Sequence, residues 1–207
     1  MWERINDAWH ELKRRDPKLM DQDAFMQFLE WVEDVALAFD GSARRTMLRN
    51  DAYWFLRLGA GIERADNTAR ILDVKYHLLL PEREQVGGGL DYFQWTTILR
   101  EVSALTAYRW VYRDSVKPWL VADLLILNPQ MPRSLASCYA VITHHLDLLA
   151  EAYGLRGQSQ RLAHAVQSRL SPSSIDDIFQ AGLHEFITCF LTDNGSVGAA
   201  VSEQYLI

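Results

Sequence analysis

The sequence predicts an all-α protein, a mostly antiparallel bundle of about seven to nine helices, on three observations. Apolar residues recur at alternating three- and four-residue spacing over long stretches, strand-type alternation hardly occurs, and prolines and glycines fall where those stretches begin and end. At 207 residues, with 49% hydrophobic and 23% charged side chains, the chain can bury a sizeable core and sits in the size range of one domain. No internal repeat or low-complexity segment divides it, so residues 1–207 are expected to form a single helical domain.

The first clear stripe lies in "MDQDAFMQFLEWVEDVALAF", where Phe25, Phe28, Val32, Val35 and Phe39 repeat as one core-facing side of a helix. Asp21 is placed to cap its start, with Met20 and Phe25 as a hydrophobic staple. The run Asp40 to Ser42 is expected to end it. The longest stripe lies in "WFLRLGAGIERADNTARILDVKYHLLL", Trp54 to Leu80. Phe55, Leu58, Ile62, Ala65, Ala69, Leu72, Tyr76 and Leu79 keep the helical period for nearly seven turns. Pro81 closes it, and the glycines of "PEREQVGGGLD" read as a loop. One further helix is expected from about Tyr92 to Tyr112, with Trp95, Ile98, Val102 and Leu105 inward, and a shorter one from Pro118 to Leu127. A helix opening near Pro132 and stopping at Gly154 follows the proline-in, glycine-out asymmetry, with Leu135, Cys138, Ile142, Leu146 and Leu149 on its core face. Ser174 and Asp177 are spaced as a capping box within two or three final helices.

Composition excludes several functions. A net charge of −6 and a pI near 5.5 leave no clustered basic footprint, so nucleic acid is not an expected partner. The longest apolar run, Trp119 to Leu127 interrupted by Asp123, is far below the roughly 20 residues that span a bilayer, and no membrane association is expected. The start "MWERINDAWHELKRRD" has no apolar signal core. Cys138 and Cys189 form neither a C-x-x-C unit nor a disulfide framework, which fits a reducing cytoplasm.

Chemical motifs are sparse. His184-Glu185 lacks the second histidine of H-E-x-x-H, and no Glu-x-x-His pair of a di-iron bundle occurs. Asp73 with His77, or the adjacent His144 and His145, could share a metal only with further ligands, so no metal and no cofactor is expected. There is no G-x-S-x-G elbow and no phosphate-binding loop, and Gly59 and Gly61 lie inside a helix rather than after a strand. Two interior glycines each cost about 0.8–1 kcal/mol relative to alanine, and they mark a close approach by another helix or a ligand.

The most informative feature is a charged stripe on the long helix. Glu63, Asp66, Arg70, Asp73 and His77 run parallel to the apolar stripe, about 100° away. A solvated flank with an Asp66–Arg70 pair explains it simply. Against that stand the like charges Glu63 and Asp66 at i,i+3, which call for a facing cation, and Arg109 or Arg133 is the candidate. Taken as a site, Glu63 or Asp66 would act as a general base beside Arg70 and Arg133 as oxyanion forks. Taken as a lock, the same carboxylates would pair internally. The candidate face is Glu63, Arg64, Asp66, Asn67, Arg70 and Asp73.

"GIERADNTARILDVKYHLL", "QWTTILREVSALTAYRWVY" and "ILNPQMPRSLASCY" together closely resemble the bacterial alpha-E family, a helical domain named for a Glu-Arg motif that falls at Glu63-Arg64. The resemblance runs over most of the chain from Trp2. It implies that residues 1–207 match roughly the C-terminal two-thirds of the usual family chain, "MWERINDAW" resembling its middle, which leaves three expectations open: a fragment, a short form, or a subunit that replaces the further helical segment by association, including association between copies. Ala60-Gly61 departs from the larger or basic residues of many relatives. The resemblance further implies work beside an ATP-grasp-type ligase and transglutaminase-like or proteasome-like peptidases, in a system that makes or modifies peptides through amide bonds. Two readings follow: a non-catalytic helical component binding such partners, or an enzyme or small-molecule binder using the Glu63/Asp66/Arg70 face.

Overall fold

Ten helices and no strand occur among the described residues of the computed structural model, which are 2–15, 21–78 and 89–206. The all-α expectation holds and the helix count exceeds the expected range. The chain divides into two compact units, Met1–Tyr53 and Trp54–Ile207.

The first unit is built on α1 (Trp2–Arg14) and α2 (Gln22–Thr46). Asp21 caps α2 as expected, its carboxylate accepting from the Ala24 amide at 2.8 Å. The proposed staple partner Met20 lies outside the described residues. Two expectations for α2 fail. The helix does not stop at Asp40 but runs on through Gly41: an Arg44–Asp40 ion pair at 2.8 Å, a bond from Thr46 Oγ1 to the Ser42 carbonyl, and the burial of Ala43 offset the glycine's modest penalty. Its expected stripe is split: Phe25 and Val32 are exposed, Phe28, Val35 and Phe39 are half-buried, and Ala43 is the only fully buried residue of the helix. Arg15 lies over the rings of Phe28 and Trp31, bringing the end of α1 against the first half of α2, so the pair is antiparallel.

The second unit holds the core. Most of it belongs to α3 (Asp51–Leu78), α4 (Gly89–Glu101), α5 (Leu105–Tyr112), α6 (Pro118–Ile126), α7 (Leu135–Tyr153), α8 (Gln158–Leu170), α9 (Ile175–Ala181) and α10 (Leu183–Tyr205). The α3 stripe points inward as its period dictates, with Leu58, Ala65, Ala69 and Leu72 buried. Pro81 and the expected loop as far as residue 88 lie outside the described residues, but the end of that stretch is not loop: Gly89, Leu90 and Asp91 form the first turn of α4. On α7 all five expected core residues are buried, Ser134 caps the start through the Ser137 amide at 3.0 Å, and Gly154 closes the end with φ 65°. Ser174 accepts from the Asp177 amide at the start of α9.

Buried polar groups tie these helices together. Gln160, 3% exposed, donates to the Leu146 carbonyl at 3.0 Å and to Tyr205 Oη at 2.7 Å, and accepts from the Gly157 amide and from Gln204. A Cβ at Gly157 would meet the Gln204 amide, so a side chain there would push Gln204 out of this network. Tyr108, fully buried, donates to the Ser115 carbonyl and accepts from the Lys117 amide, which fixes the turn between α5 and α6.

The single helix expected over Tyr92–Tyr112 is broken into α4 and α5. The Ala104 amide bonds the Leu99 carbonyl at 2.7 Å, the Ser103 amide bonds the Arg100 carbonyl at 2.9 Å, and Ser103 has φ 54°. This is a Schellman stop with serine at the left-handed position that glycine usually fills, sealed by buried Leu99 and Ala104. Trp95, Ile98 and Val102 are buried as expected, whereas Leu105 is only partly so. Because an L side chain is disfavoured at positive φ, Ser103→Gly is expected to stabilise the protein by about 0.5–1 kcal/mol in urea unfolding. A loss of stability would contradict this assignment.

Candidate functional site

The charged stripe sits where α3 meets α7 and α10, and its orientation follows from the residues between its members. Gly61 is buried, and an added Cβ would lie 3.0 Å from Ile142 Cγ1 and 3.7 Å from the Cys138 carbonyl, so α7 crosses α3 at this glycine. Gly59 faces open space. Of the two expected close approaches, Gly61 therefore makes one and Gly59 does not. One residue on, the Ile62 carbonyl accepts from Asn194 Nδ2 of α10 at 3.1 Å, while Asn194 Oδ1 accepts from Tyr139 Oη of α7 at 3.0 Å. Both Asn194 and Tyr139 are buried. Burial keeps the Tyr139 hydroxyl protonated well above its ordinary range, so it donates.

With Gly61, Ala65 and Ala69 turned into the core, Glu63 and Asn67 face solvent and Arg64 and Asp66 lie half-buried at the edges. Glu63 has no hydrogen bond or ion pair with any described residue. Asp66 is bound by Arg70 in a two-pronged contact, Nε to Oδ2 at 2.6 Å and Nη2 to Oδ1 at 3.2 Å. That contact holds the exposed Arg70 guanidinium above its ordinary pKa. Neither Arg109 nor Arg133 forms the expected ion pair with Glu63 or Asp66; Asp66 is satisfied within its own helix. Arg109 lies exposed on α5. Arg133 is instead held by its backbone, its carbonyl accepting from Thr68 Oγ1 at 2.9 Å. Arg64 and Arg133 share the neighbourhood of Cys138, whose thiol burial pushes up to about 11 while the two guanidiniums pull the other way.

Asp73 leaves the stripe for a partner that sequence reasoning missed. Its Oδ1 lies 2.7 Å from His184 Nδ1 on α10, both partly buried. The His77 side chain lies outside the described residues. Three other polar groupings were also unforeseen. Tyr112 Oη donates to Asp123 Oδ2, and burial with this bond raises the phenol far above its ordinary range. His164 Nε2 lies 3.1 Å from Asp147, which also pairs with Arg156 at 3.5 Å. Arg169 pairs with Asp193 beside exposed Cys189. His145 Nδ1 is occupied by the Val141 carbonyl at 2.7 Å, and burial lowers its pKa. Among the described residues no three metal-ligating side chains converge, and no helix is long and apolar enough to cross a membrane.

Four cavities of about 1070, 600, 330 and 300 Å3 open elsewhere: between α1 and α2, beside Asp123 and Ile175, beside His144 and Asp147, and beside Ile71 and Phe93. Glu63, Asp66 and Arg70 line none of them.

Fold and site together define a helical domain whose longest described helix turns the glutamate of a Glu-Arg pair to solvent and half-buries the arginine. The Alpha-E family model, described as "A predicted alpha-helical domain with a conserved ER motif", matches residues 1–206, and the chain belongs to that family. No curated protein and no solved structure matches it.

The two glycines give a paired test of the α3–α7 crossing. Gly59→Ala, in open space on a helix, is expected to stabilise by about 0.8–1 kcal/mol. Gly61→Val, forced against Ile142, is expected to destabilise by about 1–3 kcal/mol. Equal responses in urea unfolding would show that the helices do not cross there.

Proposed function

We propose that this chain is a non-catalytic helical component of a bacterial cytoplasmic system that makes or modifies peptides through amide bonds. In that role it docks an ATP-grasp-type ligase or a transglutaminase-like or proteasome-like peptidase. Its Alpha-E membership supports the helical-component part of this reading. The observation that carries the docking part is the surface of α5 and the start of α6. Trp110 is 73% exposed, Val111 and Trp119 stand beside it in sequence or on the next helix with nearly half their area open, and Arg109 and Arg113 are exposed on α5 and at its C-cap. Tryptophan and arginine dominate the energetics of protein interfaces, and exposed tryptophan is otherwise disfavoured in water. Neither guanidinium pairs with an acid among the described residues, so a partner surface with an apolar pocket flanked by carboxylates fits this face.

Glu63-Arg64 is then the family's Glu-Arg pair, with Glu63 turned to solvent for contact and Arg64 half-buried beside it. Glu63 is exposed and lines none of the four cavities described above, which favours contact with a partner over general-base chemistry. The reading predicts that the chain isolated from its own cells brings down a ligase or peptidase. Trp110→Ala should weaken that association roughly 30-fold or more while leaving the unfolding free energy within about 0.5 kcal/mol of wild type. Co-purification of neither class of enzyme with the wild-type chain would overturn it.

A further inference from the structure

The hairpin of α1 and α2 carries more apolar surface than two helices can use. Trp2, Ile5, Trp9 and Leu12 follow one another at three, four and three residues, and Phe25, Leu29 and Val32 at four and three, the spacing of helical seams that pack against other helices. All seven are 40–77% exposed. At these exposures they present roughly the 800 Å2 per partner that a specific interface buries.

The two seams lie on one side of the hairpin. The face of α1 turned toward α2 is marked by the half-buried Ala8, Glu11 and Arg15, and that of α2 by Phe28, Trp31 and Val35. In each helix the exposed seam lies about 100° round from that inner face, in the same rotational sense. Two antiparallel helices with the same offset point their seams the same way, which makes the hairpin half of a four-helix bundle.

Charge selects what completes it. The segment 2–15 carries four basic and three acidic side chains, whereas 21–46 carries six acidic and two basic. Stacking α2 on another α2 sets like charges together, whereas stacking α1 on α2 sets unlike ones together. A second hairpin related by a two-fold axis parallel to the helices provides that arrangement with every neighbour antiparallel. The axis preserves height along the bundle. Arg15 marks the level of Phe28 and Trp31, with its guanidinium 4.8 Å from the Trp31 ring. Lys13, two residues back on α1, therefore lies level with Val32 and Glu33. Lys13 and Glu33 both sit on the outer rims of their seams, and both are exposed with no ion pair among the described residues.

We propose that two copies of this chain associate through their α1–α2 hairpins, α1 of each lying antiparallel over α2 of the other, with Lys13 of one paired to Glu33 of the second copy at each rim. The interface uses none of the residues of the α5 surface, so each can fail alone. Sedimentation equilibrium of the full chain tests it. The wild-type chain is expected to sediment as two chains. Lys13→Glu should weaken the dimer roughly tenfold, since two symmetry-related pairs of ordinary strength become repulsive. The double variant Lys13→Glu/Glu33→Lys should recover wild-type association. A wild-type chain that stays single at tens of micromolar overturns the proposal. A dimer indifferent to Lys13→Glu, or one that the second substitution does not restore, also overturns it.

Discussion

The rotation of α3 about its own axis is set by one buried polar contact, and the character of the site depends on it. Asn194 reaches from α10 to the Ile62 carbonyl of α3 and receives the Tyr139 hydroxyl of α7, so a single side chain joins three helices. The missing side chain at Gly61 lets α7 come close enough for that contact. A buried amide left without these partners would cost on the order of 1–3 kcal/mol, so the fold strongly favours this register over its neighbours. Once Gly61, Ala65 and Ala69 are inside, helical geometry puts Glu63 outside. The exposed Glu63 is therefore a product of core packing one and two residues away.

The same principle recurs at the far end of the bundle. Gln160 draws α7, α8 and α10 together through the Leu146 carbonyl and Tyr205, and Gly157 again makes room, this time for Gln204. Such amide contacts add specificity to an apolar core that fixes composition and size but tolerates rotation of its helices. What results is a second unit with a defined orientation of its surfaces: Glu63 on one helix, Trp110 and its arginines on another. A component that works by docking needs surfaces held in place. The first unit differs in kind, since its helices satisfy their backbones but leave their seams uncovered.

Sequence reading succeeded where one residue type has one local meaning. The α3 stripe, the caps at Asp21 and Ser174 and the glycine stop at Gly154 all announce themselves through periodicity or backbone preference. The end of α4 was hidden because Ser103 takes a conformation that glycine normally signals. The α2 stripe shows a different limit: periodicity says that a helix is amphipathic and says nothing of what covers it. At the site, the Asp66–Arg70 pair was legible because i,i+4 neighbours must meet. Asp73 and His184 stand 111 residues apart, and Asn194 is 132 residues from Ile62, so no local pattern points to either contact. The facing cation expected for Glu63 was an inference from charge alone. Arg133 does approach α3, but by its backbone, which charge counting does not register.

The most direct measurement is the urea unfolding free energy of Glu63→Gln beside wild type. A carboxylate that faces solvent without a partner should be replaceable within about 0.5 kcal/mol, with any gain coming from relief of its repulsion by Asp66. A loss of about 3 kcal/mol or more would mean that Glu63 is locked into an internal ion pair, and would contradict the orientation of α3 on which the account rests.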